Sequence, residues 1–131
     1  MIGPENQTWL EAMRQRLLGQ KAQLERQLGA LRATLQAESQ YQGEEGPLAN
    51  HPADEATDLL AAEMDETIAR TLEDELAAVR DALARLDDGR YGVCIDCGQL
   101  IERSRLEAIP WASRCVRDQE RHEAAHAPRR T

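Results

Sequence analysis

The sequence predicts a mainly α fold: a long antiparallel coiled-coil hairpin, then a small C-terminal cysteine-bearing module with a short terminal helix. Three observations carry this expectation. Leu10, Leu17, Leu24 and Leu31 recur every seven residues, with Leu28 and Leu35 at the second seam position, the spacing of a coiled coil. Ile68, Leu72, Leu76, Val79, Leu83 and Leu86 follow at steps of four, four, three, four and three. Between the two runs lies YQGEEGPLANHP, whose Gly43, Gly46, Pro47 and Pro52 break any helix.

Residues 1–7 contain Gly3 and Pro4 and are expected to be loose. The first helix is expected from Thr8 to Ser39, with Thr8 as N-cap and Glu11 completing a capping box. The second is expected from Ala53 to Asp87, and Gly89 stops it. Two heptad helices of matched length, joined by a breaker-rich loop, can bury their seams against each other within one chain, so a monomer is expected. A helix of roughly 33 residues projects about 50 Å at about 1.5 Å per residue. The tip of such a hairpin falls at residues 43–58. The expected organisation is a hairpin over 1–88, a cysteine module over 89–127 and a disordered tail over 128–131.

Composition narrows the function classes. Phe is absent and aromatics make up 3% of 131 residues, which argues against a broad aromatic-filled core. No run of about 18 apolar residues marks a membrane span, and the start of the chain lacks a basic flank followed by an apolar block. A soluble, cytoplasmic protein without membrane contact is the expectation. The net charge of −8 is uneven: residues 43–76 hold eleven acidic residues against one basic residue. Such a block is repelled by phosphate backbones, which excludes direct sequence-specific nucleic-acid binding there. A basic protein surface or a cation suits it better.

The C-terminal stretch carries the chemistry. Cys94 and Cys97 form C-x-x-C with Gly98 directly after, a turn that sets two thiolates on one metal with backbone N–H groups aimed at the sulfurs. Cys115 follows after seventeen intervening residues, inside the window between the two knuckles of a zinc finger. Asp118 stands where a fourth cysteine would complete the pattern. On a helix, residues 115, 118 and 122 share one face, so either Asp118 or His122 closes a tetrahedral zinc site; His126 is a weaker candidate. Three thiolates make zinc a poor Lewis acid, and no H-x-E accompanies them, so a structural metal is expected and no enzyme. A redox C-x-x-C would need a βαβ pattern, which is missing. The metal-free alternative would rest on a core of Ile95, Leu100, Ile101, Leu106, Ile109 and Trp111.

The stretch GRYGVCIDCGQLIERSRLEAIPWASRC resembles the zinc-finger signature of the DksA/TraR family, G-x-Y-G-x-C-x-x-C-G followed by RLEA-x-P and a cysteine. The resemblance covers residues 8–126, and the NHPADEAT block looks like the Gram-positive, sporulation-associated branch. It implies a coiled-coil finger that enters the secondary channel of RNA polymerase, a zinc-finger base, and acidic tip residues acting near the polymerase active site. It also implies a transcription regulator active in stress responses, partnered in some members by the alarmone ppGpp. The family's tip motif resembles D-x-x-D-x-A. Asp54 and Ala56 match its last two positions, and His51 stands at the first. His51, Asp54, Glu55, Ala56 and Asp58 are therefore the expected partner-binding residues. The plainer readings are a helix cap at Asn50 or Asp54 and first-turn carboxylates facing the helix dipole at Asp54 and Asp58. For the whole chain the alternatives are a zinc or thiol stress sensor and a coiled-coil adaptor.

Overall fold

The computed structural model describes residues 4–44 and 52–126, with side chains for residues 6–37 and 61–126. Within them the order is α1 (Pro4–Glu44), α2 (Pro52–Asp87), α3 (Arg103–Ala108) and α4 (Val116–His126). The fold is mainly α, two long hairpin helices followed by a small module. Among the described residues the sole β pairing is an isolated antiparallel bridge between Val93 and Leu100. No described helix is long and apolar enough to cross a membrane.

α1 starts at Pro4 rather than at Thr8, so Thr8 lies inside the helix and most of the stretch expected to be loose is helical. Proline suits a first helical position, because its missing N–H would have no helical partner there and its φ is already set. α2 likewise opens on Pro52. His51 lies outside the described residues. Asp54, Glu55, Ala56 and Asp58 fall in the opening turns of α2, and their side chains lie outside the described ones.

The chain divides into two units, one of Met1–Gln20 with Ala78–Thr131 and one of Lys21–Ala77. In the second unit Leu24 and Leu28 of α1 and Ala69 and Leu76 of α2 are buried. Arg32 and Glu73 form an ion pair on its surface. In the first unit Met13 and Leu17 of α1 and Val79 and Ala82 of α2 are buried, with Tyr91, Ile101, Leu106 and Ala112 from the module. Arg14 Nη1 meets Asp87 Oδ1 at 2.8 Å.

The seam of α2 departs from the expected one. Ile68 is 48% exposed, whereas its neighbour Ala69 is buried. The inward positions run 62, 65, 69, 72, 76, 79, 83 and 86, all buried or half-buried. Their steps alternate three and four, as a heptad requires. The apolar run through Ile68 needs two successive steps of four, which drift off the seam, and the helix follows the geometry of the repeat.

α2 ends in a Schellman cap that launches the module. Gly89 takes φ +75°, and its N–H reaches the Leu86 carbonyl at 3.3 Å while Arg90 N–H reaches the Arg85 carbonyl at 2.8 Å. A left-handed residue at this position suits glycine. Just inside this cap, Arg85 is buried at 4% exposure. Its Nη1 pairs with Asp81, and its Nε and Nη2 find no partner among the described residues.

Candidate metal centre

Local backbone turns bring the cysteines together. The Cys94 amide donates to the Gln99 carbonyl at 2.8 Å and the Gly98 amide to the Cys94 carbonyl at 3.0 Å. Gly98 takes φ +74°, the conformation that closes the knuckle behind Cys97. The second half is docked on the first: Ile95 N–H meets the Ser113 carbonyl at 2.9 Å, and Arg114 Nε meets Asp96 Oδ2 at 2.8 Å. Cys115 immediately precedes α4, and its carbonyl accepts the first helical bond from Gln119 at 2.9 Å. The first turn of α4 then aims Asp118 at the thiols.

The donor atoms of Cys94, Cys97, Cys115 and Asp118 all lie within 4.8 Å of one another. The Cys94 thiol donates to Asp118 Oδ2 at 3.1 Å, and the Cys115 thiol reaches the same oxygen at 3.3 Å. Cys94 and Asp118 are buried, Cys115 is half-buried and Cys97 is exposed. His122 is not in this group. One helical turn further along α4, its ring stacks against that of His126, with centroids 4.3 Å apart. Of the two candidates for a fourth ligand, the structure brings Asp118 to the cysteines and leaves His122 outside.

The electrostatics express the crowding of anion-forming groups. Burial pushes the Cys94 thiol up, yet backbone N–H groups of Cys97, Cys115 and Asp96 outweigh it and hold the thiol below its ordinary value. The Gln99 amide favours the Cys97 thiolate. Asp118, desolvation and the other two thiols oppose it and push Cys97 up to about 12. Thiol hydrogen bonds from Cys94, Cys97 and Cys115 hold the Asp118 carboxyl below the usual carboxylate range. Protons thus occupy the place a cation would take, since metal ligands bind in their deprotonated forms.

This donor set fits zinc. Three thiolates and a carboxylate are four protein ligands, the number of a closed structural site. The module also needs a cross-link. Of the residues that would form a metal-free core, Ile95 is exposed and Leu100 is 80% exposed, while Ile109 and Trp111 are half-buried; Ile101 and Leu106 are inside. So small an apolar core seldom holds a segment of this size by itself. Side-chain bonds help: Tyr91 Oη donates to the Pro110 carbonyl at 2.8 Å and Arg105 Nε to the Arg114 carbonyl at 3.0 Å.

Sequence reasoning missed the role of Trp9. Its ring lies 6.1 Å from that of Tyr91, Arg103 stacks over it at 4.4 Å, and its Nε1 donates to Glu107 at 3.3 Å. Arg103 also donates to Asn6 Oδ1 at 2.7 Å. Arg103, Arg105 and Arg114 are thus each engaged by other residues of the chain. No periodicity signals such a clamp, because its partners are about a hundred residues apart in sequence.

Comparisons with known proteins agree with this geometry. The model of the prokaryotic dksA/traR C4-type zinc finger matches residues 89–124. The RNA polymerase-binding transcription factor DksA of Caulobacter vibrioides is 31% identical over 118 residues, 90% of this chain and 78% of that protein. General stress protein 16O of Bacillus subtilis is 40% identical over 70 residues, 53% of this chain and 43% of that protein. Among solved structures, transcription factor DksA2 from Pseudomonas aeruginosa superposes with a TM-score of 0.71 at 24% identity, covering 91% of this chain and 86% of that one. A knuckle-and-helix cysteine site behind two hairpin helices, matched along nine-tenths of its length to a DksA protein, places the chain in the DksA/TraR family.

Proposed function

We propose that this protein is a transcription regulator that binds RNA polymerase, inserts its helical hairpin into the secondary channel, and brings the acidic tip near the polymerase active site. The observation that carries the reading is the likeness, over 90% of the chain, to a protein named as RNA polymerase-binding. The charge pattern supports it: the net −10 of residues 43–76 suits a positively lined passage and rejects nucleic acid. Asp54, Glu55, Ala56 and Asp58, with His51 at the position of the family's first aspartate, are the partner-binding residues. Binding, not bond-making, is the activity, and the protein works as a cytoplasmic monomer. The family resemblance adds ppGpp as a co-ligand.

Cys94, Cys97, Cys115 and Asp118 hold the zinc. When bound, it supplies a cross-link and offsets two of the four ligand charges, and no reactive centre. Cys94 and Cys97 fix the knuckle, while Cys115 and Asp118 fix the start of α4 against it.

The test is retention of RNA polymerase on the immobilised protein together with transcription from several promoters, for wild type and Asp54→Asn. The expected result is that both proteins retain polymerase and the variant changes transcription less. Equal effects of the two on every promoter would sink the role of the tip.

A further inference from the structure

The inverted stretch of α2 is the feature that the metal site and the tip leave unexplained. At the inward positions 62, 65 and 69 the chain places Ala, Asp and Ala. The large apolar side chains of the same stretch, Met64 and Ile68, face outward at 65% and 48% exposure. They sit four residues apart and so lie side by side on one helical face, with Glu63 and Thr67 lining a shallow groove along them. A single exposed apolar residue needs no explanation. Here the local pattern is reversed, small and acidic side chains inside and large apolar ones outside. Such a conflict with the folding pattern is expected where a surface serves another purpose.

Charge decides what covers this face. Glu63 lines the groove beside the pair, within a block whose sole basic residue is Arg70. A second copy would bring two such blocks within a Debye length of about 8 Å, where like charges repel. Nucleic acid is repelled for the same reason. A protein surface with an apolar notch framed by Lys or Arg side chains satisfies both the apolar pair and its acidic border.

We propose that Met64 and Ile68 form a docking pair that seats in an apolar notch framed by basic side chains on RNA polymerase. The inference rests on the polymerase-binding reading, and it adds an anchor on the shaft of α2 separate from the acidic tip. The apolar pair holds the complex, and the surrounding carboxylates guide it and set its register.

The experiment measures equilibrium affinity of the full-length, zinc-loaded protein for RNA polymerase at two salt concentrations. Wild type is compared with Met64→Gln/Ile68→Gln and with Ile68→Leu. The double variant is expected to bind about tenfold more weakly or worse, given the apolar area removed, and Ile68→Leu to bind as wild type does. The ratio of wild type to double variant should persist at high salt, because screening weakens the charged contacts of both proteins alike. Helix content, zinc content and melting temperature should match wild type, since both side chains face outward. Wild type failing to bind polymerase overturns the polymerase reading itself. Wild type binding with an unaffected double variant overturns only the docking pair. A double variant that melts several degrees lower shows that the pair belongs to the core, and a wild-type dimer dissolved by the substitutions shows that the face pairs copies of this chain; either result overturns the proposal.

Discussion

Replacing Arg85 by Met should stabilise the protein, although it removes an ion pair. Arg85 is 4% exposed, and its Nε and Nη2 have no partner among the described residues. Each buried, unmatched donor costs about 1–3 kcal/mol, so the pair costs roughly 2–6 kcal/mol on the same scale. Against this stands the bond from Nη1 to Asp81, whose side chain is 66% exposed. Ion pairs that reach solvent in this way contribute about 1 kcal/mol or less. Met keeps the packing of the aliphatic stem and carries no donors. Removing two unmatched donors outweighs losing one solvent-exposed ion pair, so a net gain of about 1–2 kcal/mol is expected here. Asp81→Asn should move the other way, by about 1 kcal/mol, because it weakens the one interaction the guanidinium has. Urea unfolding of the zinc-loaded proteins, followed by helical circular dichroism, measures both. If Arg85→Met loses more than about 1 kcal/mol, the two nitrogens do have partners, and the reasoning from unmatched donors is refuted.

Two further outcomes concern the module. Apparent zinc-binding free energies of about 10–16 kcal/mol spread over four ligands give about 3 kcal/mol each, so Asp118→Ala should weaken zinc binding on the order of 100-fold in chelator competition. His122→Ala should leave the affinity unchanged. The reverse pattern would assign the fourth position to His122. Burial pushes the Tyr91 hydroxyl up to about 12 against the nearby charges of Arg16 and Arg85. A folded value above the unfolded 10.0 means this group's contribution is complete below pH 10 and is lost as the pH rises towards 12. Phenolate absorbance in a Tyr41→Phe background should therefore show a midpoint near 12, coincident with loss of stability. A midpoint near 10 would show that Tyr91 is not held as described.

Much of this architecture can be read from the amino-acid order, and the exceptions have identifiable causes. The leucine heptads of α1 mark its inner face because a coiled-coil seam demands large apolar residues at that spacing, and Leu17, Leu24 and Leu28 are buried accordingly. Ile68 misleads because hydrophobicity alone does not mark the seam: the residue is 48% exposed. The correct guide is the alternation of three and four, and the two successive steps of four between Ile68 and Leu76 are its visible violation. The helix starts were hidden by proline, which reads as a breaker yet opens both α1 and α2. At the metal centre, C-x-x-C and Cys115 are legible because ligand spacing is set by local turns. The choice between Asp118 and His122 is not, since both share one face of α4. It is decided by how deep the start of α4 sits against the knuckle, which is a tertiary property. The Trp9 clamp joins opposite ends of the chain and leaves no local trace at all.

The way Cys115 and Asp118 begin α4 has a thermodynamic consequence. A helix of 11 residues is shorter than the roughly 12–15 needed for even marginal stability alone in water, because fixing the first turn costs far more than extending it. Here the residue whose carbonyl accepts the first helical bond and a residue of the opening turn are both metal-site donors. A bound ion would fix that turn in advance, so that only the inexpensive propagation remains. Zinc would then act as the nucleus of α4. Its removal would be transmitted as the melting of a whole helix rather than as a local loosening of the cysteine knuckle.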